Sequence, residues 1–123
     1  MKTVFLLPLF LCSVLFGAIE LNQANHSDSP VEYDVCIQLV DYQGNPTSSN
    51  DIYGYAATNL ETGEFVYPSR YYDNCFYGML EGSYRFDSYQ GYFCGTSSQT
   101  VTLSSALENE DGVIVINLVL WCE

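Results

Sequence analysis

Tyr33-Asp34-Val35-Cys36-Ile37-Gln38-Leu39-Val40-Asp41 decides the fold class. Val35, Ile37 and Leu39 fall on one side of an extended chain, and Cys36 and Gln38 on the other. A helix would bring apolar residues round every third or fourth position, so this alternation predicts a half-buried strand. Asp41-Tyr42-Gln43-Gly44-Asn45-Pro46 then ends it with residues that favour turns.

The same grammar continues to the end of the chain. Ile52–Thr58 and Glu64–Tyr67 are predicted strands, joined by the turn Asn59-Leu60-Glu61-Thr62-Gly63. Asn74–Leu80 and Tyr84–Tyr89 form a predicted hairpin closed by Glu81-Gly82-Ser83. Tyr84 and Phe86 alternate with Arg85 and Asp87, which places the two aromatics inside. Ser98–Leu103 is a sixth strand. An acidic loop follows over Ser104–Asp111, with one helical turn at Ala106-Leu107. Val113–Trp121 is the longest strand, with Ile114, Ile116, Leu118 and Leu120 on one face. These strands predict a small all-β domain, a seven-stranded antiparallel sandwich.

Upstream, one positive charge at Lys2, an apolar run from Val4 to Phe16 and small residues at Gly17-Ala18 have the order of a secretory signal peptide. The run is shorter than the roughly 20 residues of a membrane span. The expected organisation is a signal peptide over 1–18, a flexible polar leader over 19–31 and the β-sandwich domain over 32–123. The expected location is extracellular, with no membrane attachment once the signal is removed. Asn25-His26-Ser27 in the leader is a candidate N-glycosylation sequon at Asn25.

Charge narrows the function classes. Fifteen acids stand against three Lys and Arg residues. Without Lys2, the fifteen acids and two arginines, Arg70 and Arg85, leave a net charge of −13. Nucleic-acid binding needs clustered cations on phosphates and is excluded on this reading. The acidity keeps a secreted chain soluble, or meets calcium or a basic partner.

Five cysteines become four, Cys36, Cys75, Cys94 and Cys122, if Cys12 leaves with the signal. An even number in a small exported domain predicts two disulfides. No C-x-x-C occurs, and the single histidine, His26, lies in the leader, so neither a zinc site nor a histidine-based catalytic set is expected. No cofactor is expected, and the chain is read as non-enzymatic. Glu108, Glu110 and Asp111 beside Gly112 are the richest candidate calcium ligands, though without the regular spacing of a calcium loop.

The turns and core positions follow a family pattern. Asp41-x-x-Gly44-x-Pro46, Thr62-Gly63, Asp73-Asn74-x-Phe76, Leu80-x-Gly82-Ser83-Tyr84 and Ser98-Gln99-Thr100-Val101-Thr102-Leu103 occur in that order. This resembles the transthyretin-like, immunoglobulin-like sandwiches, especially the carboxypeptidase regulatory-like domains, over Tyr33 to Leu120. Asn74 stands where those domains often carry glycine. The resemblance implies a seven-stranded accessory module without implying an activity. The hydrolytic branch of the family uses histidines and a C-terminal Tyr-Arg-Gly-Ser motif that this chain lacks. The strand neighbours of such a sandwich imply the pairing Cys36–Cys75 with Cys94–Cys122. The alternative is Cys36–Cys122 with Cys75–Cys94, since first and last strands often adjoin.

Tyrosine is the remaining signal. Eleven occur in the chain, and Tyr71, Tyr72, Tyr89 and Tyr92 fall in or beside predicted loops. Tyrosines there often mark a contact surface. The chain is therefore read as a secreted binding or accessory module whose Tyr-rich loops hold an extracellular protein or glycan. The competing class is a structural subunit that self-associates through its edge strands.

Overall fold

The computed structural model describes residues 29–70 and 73–123. The expected signal peptide, most of the expected leader, Asn25, Tyr71 and Tyr72 lie outside the described residues. Among the described residues there are eight strands: β1 Glu32–Val40, β2 Tyr55–Asn59, β3 Phe65–Val66, β4 Cys75–Leu80, β5 Ser83–Ser88, β6 Cys94–Thr96, β7 Gln99–Thr102 and β8 Val113–Cys122. They form two four-stranded sheets, in the orders β4-β1-β8-β6 and β3-β2-β5-β7.

Alternation explains the packing. Val35, Ile37 and Leu39 of β1 and Ile114, Ile116 and Leu118 of β8 point inward from the first sheet. Tyr55, Ala57, Tyr84 and Phe86 meet them from the second. Phe76 and Phe86 touch edge to face, with centroids 5.6 Å apart at 76°. Burial of each such large side chain stabilises the fold by about 1.5–3 kcal/mol. The Tyr84 hydroxyl donates to the Leu80 carbonyl at 2.8 Å, so its polar tip is satisfied.

Three expectations need correction. The strand count is eight, not seven. Cys94-Gly95-Thr96 is too short to show alternation, and β8 holds it in register with Cys94 opposite Cys122. β6 and β7 are separated only by Ser97 and Ser98, so one extended run passes from the first sheet to the second. The sandwich is also not wholly antiparallel. β1 and β8 run parallel from Asp34↔Val113 to Val40↔Val119. First and last strands far apart in sequence can pair this way, because the whole chain serves as their crossover. Finally, Leu120 does not share the burial of Ile114, Ile116 and Leu118. It is only half-buried, opposite Thr96 near the sheet edge.

Two disulfides staple the first sheet. Cys36 joins Cys75 across β1 and β4, and Cys94 joins Cys122 across β6 and β8. The alternative pairing does not occur: β1 does adjoin β8, but Cys36 lies opposite Val115 there.

Candidate binding surface

The topology gathers three loops at one end of the sandwich. β1 ends there at Val40, β2 starts there at Tyr55 opposite Ser88, and β8 finishes there at Cys122. The loops over 41–54 and 89–93, with residues 67–70 and 73–74, therefore lie at this end. The 41–54 loop starts as predicted. The Asp41 carboxylate accepts from the amides of Gln43 and Asn45, both at 2.9 Å, which builds the turn.

Asp51 then reaches across to the loop 41–43 residues ahead. Its carboxylate accepts from the amides of Tyr92 at 3.1 Å, Phe93 at 2.7 Å and Cys94 at 2.7 Å. Charge-assisted bonds of this kind are among the stronger local ties. The amides of Phe93 and Cys94, with smaller contributions from Tyr92 and the Tyr53 hydroxyl, hold the Asp51 carboxyl below its usual range, against partial desolvation. In turn the Asp51 charge, then desolvation, pushes the Tyr53 phenol up. Gly91 makes this approach feasible. A Cβ there would lie 2.1 Å from the Asp51 carbonyl oxygen, so no other residue fits without moving backbone.

Further ties fix the same loop. The Gly91 amide donates to the Cys94 carbonyl at 3.0 Å and the Tyr89 amide to the Gly54 carbonyl at 2.9 Å. The Glu123 amide donates to the Phe93 carbonyl at 2.8 Å, beside the Cys94–Cys122 bridge. Upon this base the aromatic rings stand in solvent. Tyr92 is 87% exposed, Phe93 65% and Tyr53 47%, and the Tyr92 and Phe93 centroids are 6.4 Å apart. Tyr53, Gln90, Gly91 and Tyr92 line a depression of about 210 Å³.

Of the expected contact tyrosines, Tyr92 stands on this surface, and Tyr89, at the start of the same loop, is half-buried. Tyr71 and Tyr72 lie outside the described residues. The sequence reading missed Asp51, Tyr53 and Phe93 as members of one surface. An aspartate in a Ser/Asn/Asp turn looks solvated, and nothing local marks one that bonds amides some forty residues away. Gly91, a glycine flanked by Gln90 and Tyr92, was the available signal for a close backbone approach.

The acidic loop takes a different role. Asn109 Oδ1 accepts from the Asp111 amide at 2.9 Å and the Val113 amide at 3.0 Å, forming the turn that starts β8. Among the described residues, no three His, Cys, Asp or Glu side chains converge to hold a metal ion, so Glu108, Glu110 and Asp111 are not brought together as ligands. Among the same residues, no helix is long and apolar enough to cross a membrane. No protein-family model, curated protein or solved structure matches the chain.

Proposed function

We propose that the protein is a secreted, non-catalytic binding module on a transthyretin-like sandwich, which holds an extracellular protein or glycan at its aromatic end. The observation that carries this reading is the Asp51 cradle beneath Tyr53, Tyr92 and Phe93. Exposed aromatics on a mobile loop lose entropy when they bind, whereas a loop already tied by three carboxylate bonds and a disulfide loses less. Tyrosine suits such a surface because a ring with few rotatable bonds offers a large apolar face and a polar tip.

Two further features support it. Among the described residues no polar or charged side chain is buried, so the acids are solvated rather than set in a desolvated cleft. Asp51, whose carboxyl is shifted down, already spends its oxygens on backbone amides. The edge strands also favour a module over a sheet-building subunit. β3 has two residues, β6 three and β7 four, and β4 carries a bulge where Tyr77 and Gly78 oppose Asp34. Short and bulged edges resist pairing with other chains. The two disulfides accord with an oxidising compartment.

The test is retention from the native extracellular milieu by immobilised protein and by a Tyr53→Ser/Tyr92→Ser/Phe93→Ser variant. The variant should melt within a few degrees of the parent and lose the retained partner. Equal retention by both would refute the reading. Intact mass of the native protein should show loss of about 17–24 N-terminal residues, as signal cleavage requires, and a mass retaining Met1 would refute secretion by that route.

A further inference from the structure

A second aromatic surface lies toward the opposite end, between the edges of the two sheets. β3 is the edge of one sheet and β4 the edge of the other. Between them runs a groove of about 230 Å³, lined by Glu64, Phe65, Val66, Met79, Leu80 and Tyr84, among others. Phe65 is 63% exposed and Leu80 52%; Tyr67, just past β3, does not line the groove, though its ring centroid lies 6.4 Å from that of Phe65. Tyr84 closes the floor at 3% exposure.

The rim is acidic. Glu64 lines the groove, and Glu61 sits in the turn just before β3. The Glu32 carboxylate oxygen lies 3.6 Å from where a Gly78 side chain would begin. The only ion pair among the described residues is Arg85–Asp87, so Glu32, Glu61 and Glu64 have no cationic partner there. The charges of Glu61 and Glu64 reach the groove floor. Burial, opposed by a hydrogen bond with Asn59 and assisted by the charges of Glu61 and Glu64, pushes the Tyr84 phenol up.

An apolar floor with an exposed ring and an unneutralised acidic rim is complementary to a long alkyl side chain ending in a positive charge. We propose that this groove binds a lysine or arginine of an extended basic protein segment. The alkyl stem lies along Met79 and Leu80, and the cation sits between the Phe65 ring and Glu64. Long cationic side chains bury their stems while keeping the charge in water, and a cation over an aromatic face gains from the ring quadrupole. A folded element would not enter a groove of this size, so the occupant is a single side chain on an extended backbone. The chain itself has few cations to compete, with Arg85 already paired to Asp87.

The test titrates the disulfide-bonded protein with acetylated, amidated hexa-arginine, hexa-lysine, hexa-glutamine and hexa-glutamate at physiological salt, read by NMR. The cationic peptides should bind and shift the Val66, Met79 and Leu80 methyl signals, with the neutral and acidic peptides inert. Phe65→Leu leaves the charge unchanged and should weaken binding about 2- to 5-fold, the worth of roughly one cation–π contact of the exposed kind. Glu61→Gln/Glu64→Gln should weaken it, whereas Glu108→Gln/Glu110→Gln, the same change of net charge elsewhere, should leave it within about two-fold. Equal loss from both pairs would mean that diffuse acidity alone attracts the peptide, and would overturn the proposal. So would methyl shifts that map only to the Tyr92 end, or binding by hexa-glutamine equal to that of hexa-arginine. The wild-type shift map decides the matter even if a variant fails to fold. Failure here leaves the reading of the aromatic end standing, because that reading is tested by a different variant on different residues.

Discussion

Removing the two disulfides one at a time separates fold stability from the organisation of the aromatic end. The bridges span 39 residues (Cys36–Cys75) and 28 residues (Cys94–Cys122). With the loop-entropy relation, restricting the unfolded chain is worth about 3.9 kcal/mol for the first and about 3.6 kcal/mol for the second. Cys36→Ala/Cys75→Ala and Cys94→Ala/Cys122→Ala should therefore lower stability almost equally. For a domain of this size each should lower Tm by roughly 15–30 °C.

Their local effects should differ. Cys36 sits mid-strand in β1, which is bonded to β4 on one side and β8 on the other. Cys94 opens a three-residue edge strand bonded only to β8, next to the loop that carries Tyr92 and Phe93. Amide exchange of residues 92–94 should quicken in the Cys94→Ala/Cys122→Ala variant beyond the loss expected from its global stability. In the other variant it should track global stability. Both should be measured well below their melting temperatures, with stability from denaturant titration. If residues 92–94 respond alike in the two variants, the disulfide does not organise the aromatic end and the argument from pre-organisation fails there.

Other expectations follow from single contacts. The Asp51 carboxyl is depressed when folded, so its contribution to the loop is fully present above the ordinary carboxylate range and is lost as pH falls through the lowered value, below 3.8. Acid titration of the Tyr92–Cys94 amide shifts should show this step, and Asp51→Asn should remove it; a step near pH 6 would contradict the assignment. Gly91→Ala should displace the 89–93 loop and broaden or shift the same signals while leaving those of Ile37 and Ile116 in place. Phe76→Ala, which empties a fully buried site facing Phe86, should cost about 3–5 kcal/mol in denaturant unfolding. Trypsin on the denatured, non-reduced protein cuts after Arg70 and Arg85. The observed pairing then yields two disulfide-containing species, one joining the Cys36 and Cys75 peptides, whereas Cys36–Cys122 with Cys75–Cys94 would hold all three fragments together.

What the sequence made legible was whatever depends on neighbours along the chain. The alternation of β1, the inward Tyr84 and Phe86, the Asp41 turn and the start of β8 at Val113 are all local, and each follows from side-chain period or a short-range hydrogen bond. β6 was illegible because three residues carry no period, and only contact with β8 makes them a strand. The parallel β1–β8 ladder was illegible for the same reason, since direction is decided by a pairing between the two ends of the domain. At the candidate site the exposed Tyr92 could be read from its loop. The Asp51 bonds could not, because an aspartate with three long-range amide partners has the same local sequence as a solvated one.

The edges connect the two proposed surfaces to one physical constraint. A sandwich of two four-stranded sheets leaves four outer strands, and each could template pairing with another chain. Here they are kept short, and the longest, β4, is interrupted at Gly78, whose φ of 69° and whose amide donating to the Asp34 carboxylate at 3.0 Å build the bulge. With main-chain pairing suppressed, what remains for recognition at the β3–β4 boundary is side chains: the ring of Phe65 and the carboxylate of Glu64. At the other end the same economy holds, since the amides of Tyr92, Phe93 and Cys94 are turned inward to Asp51 and only the rings face out. Both surfaces therefore offer aromatic faces rather than backbone donors, and the groove adds the negative charge of Glu64. A partner that adds a strand is the poorest match to such a molecule, and one that presents cations and flat apolar or sugar faces is the best.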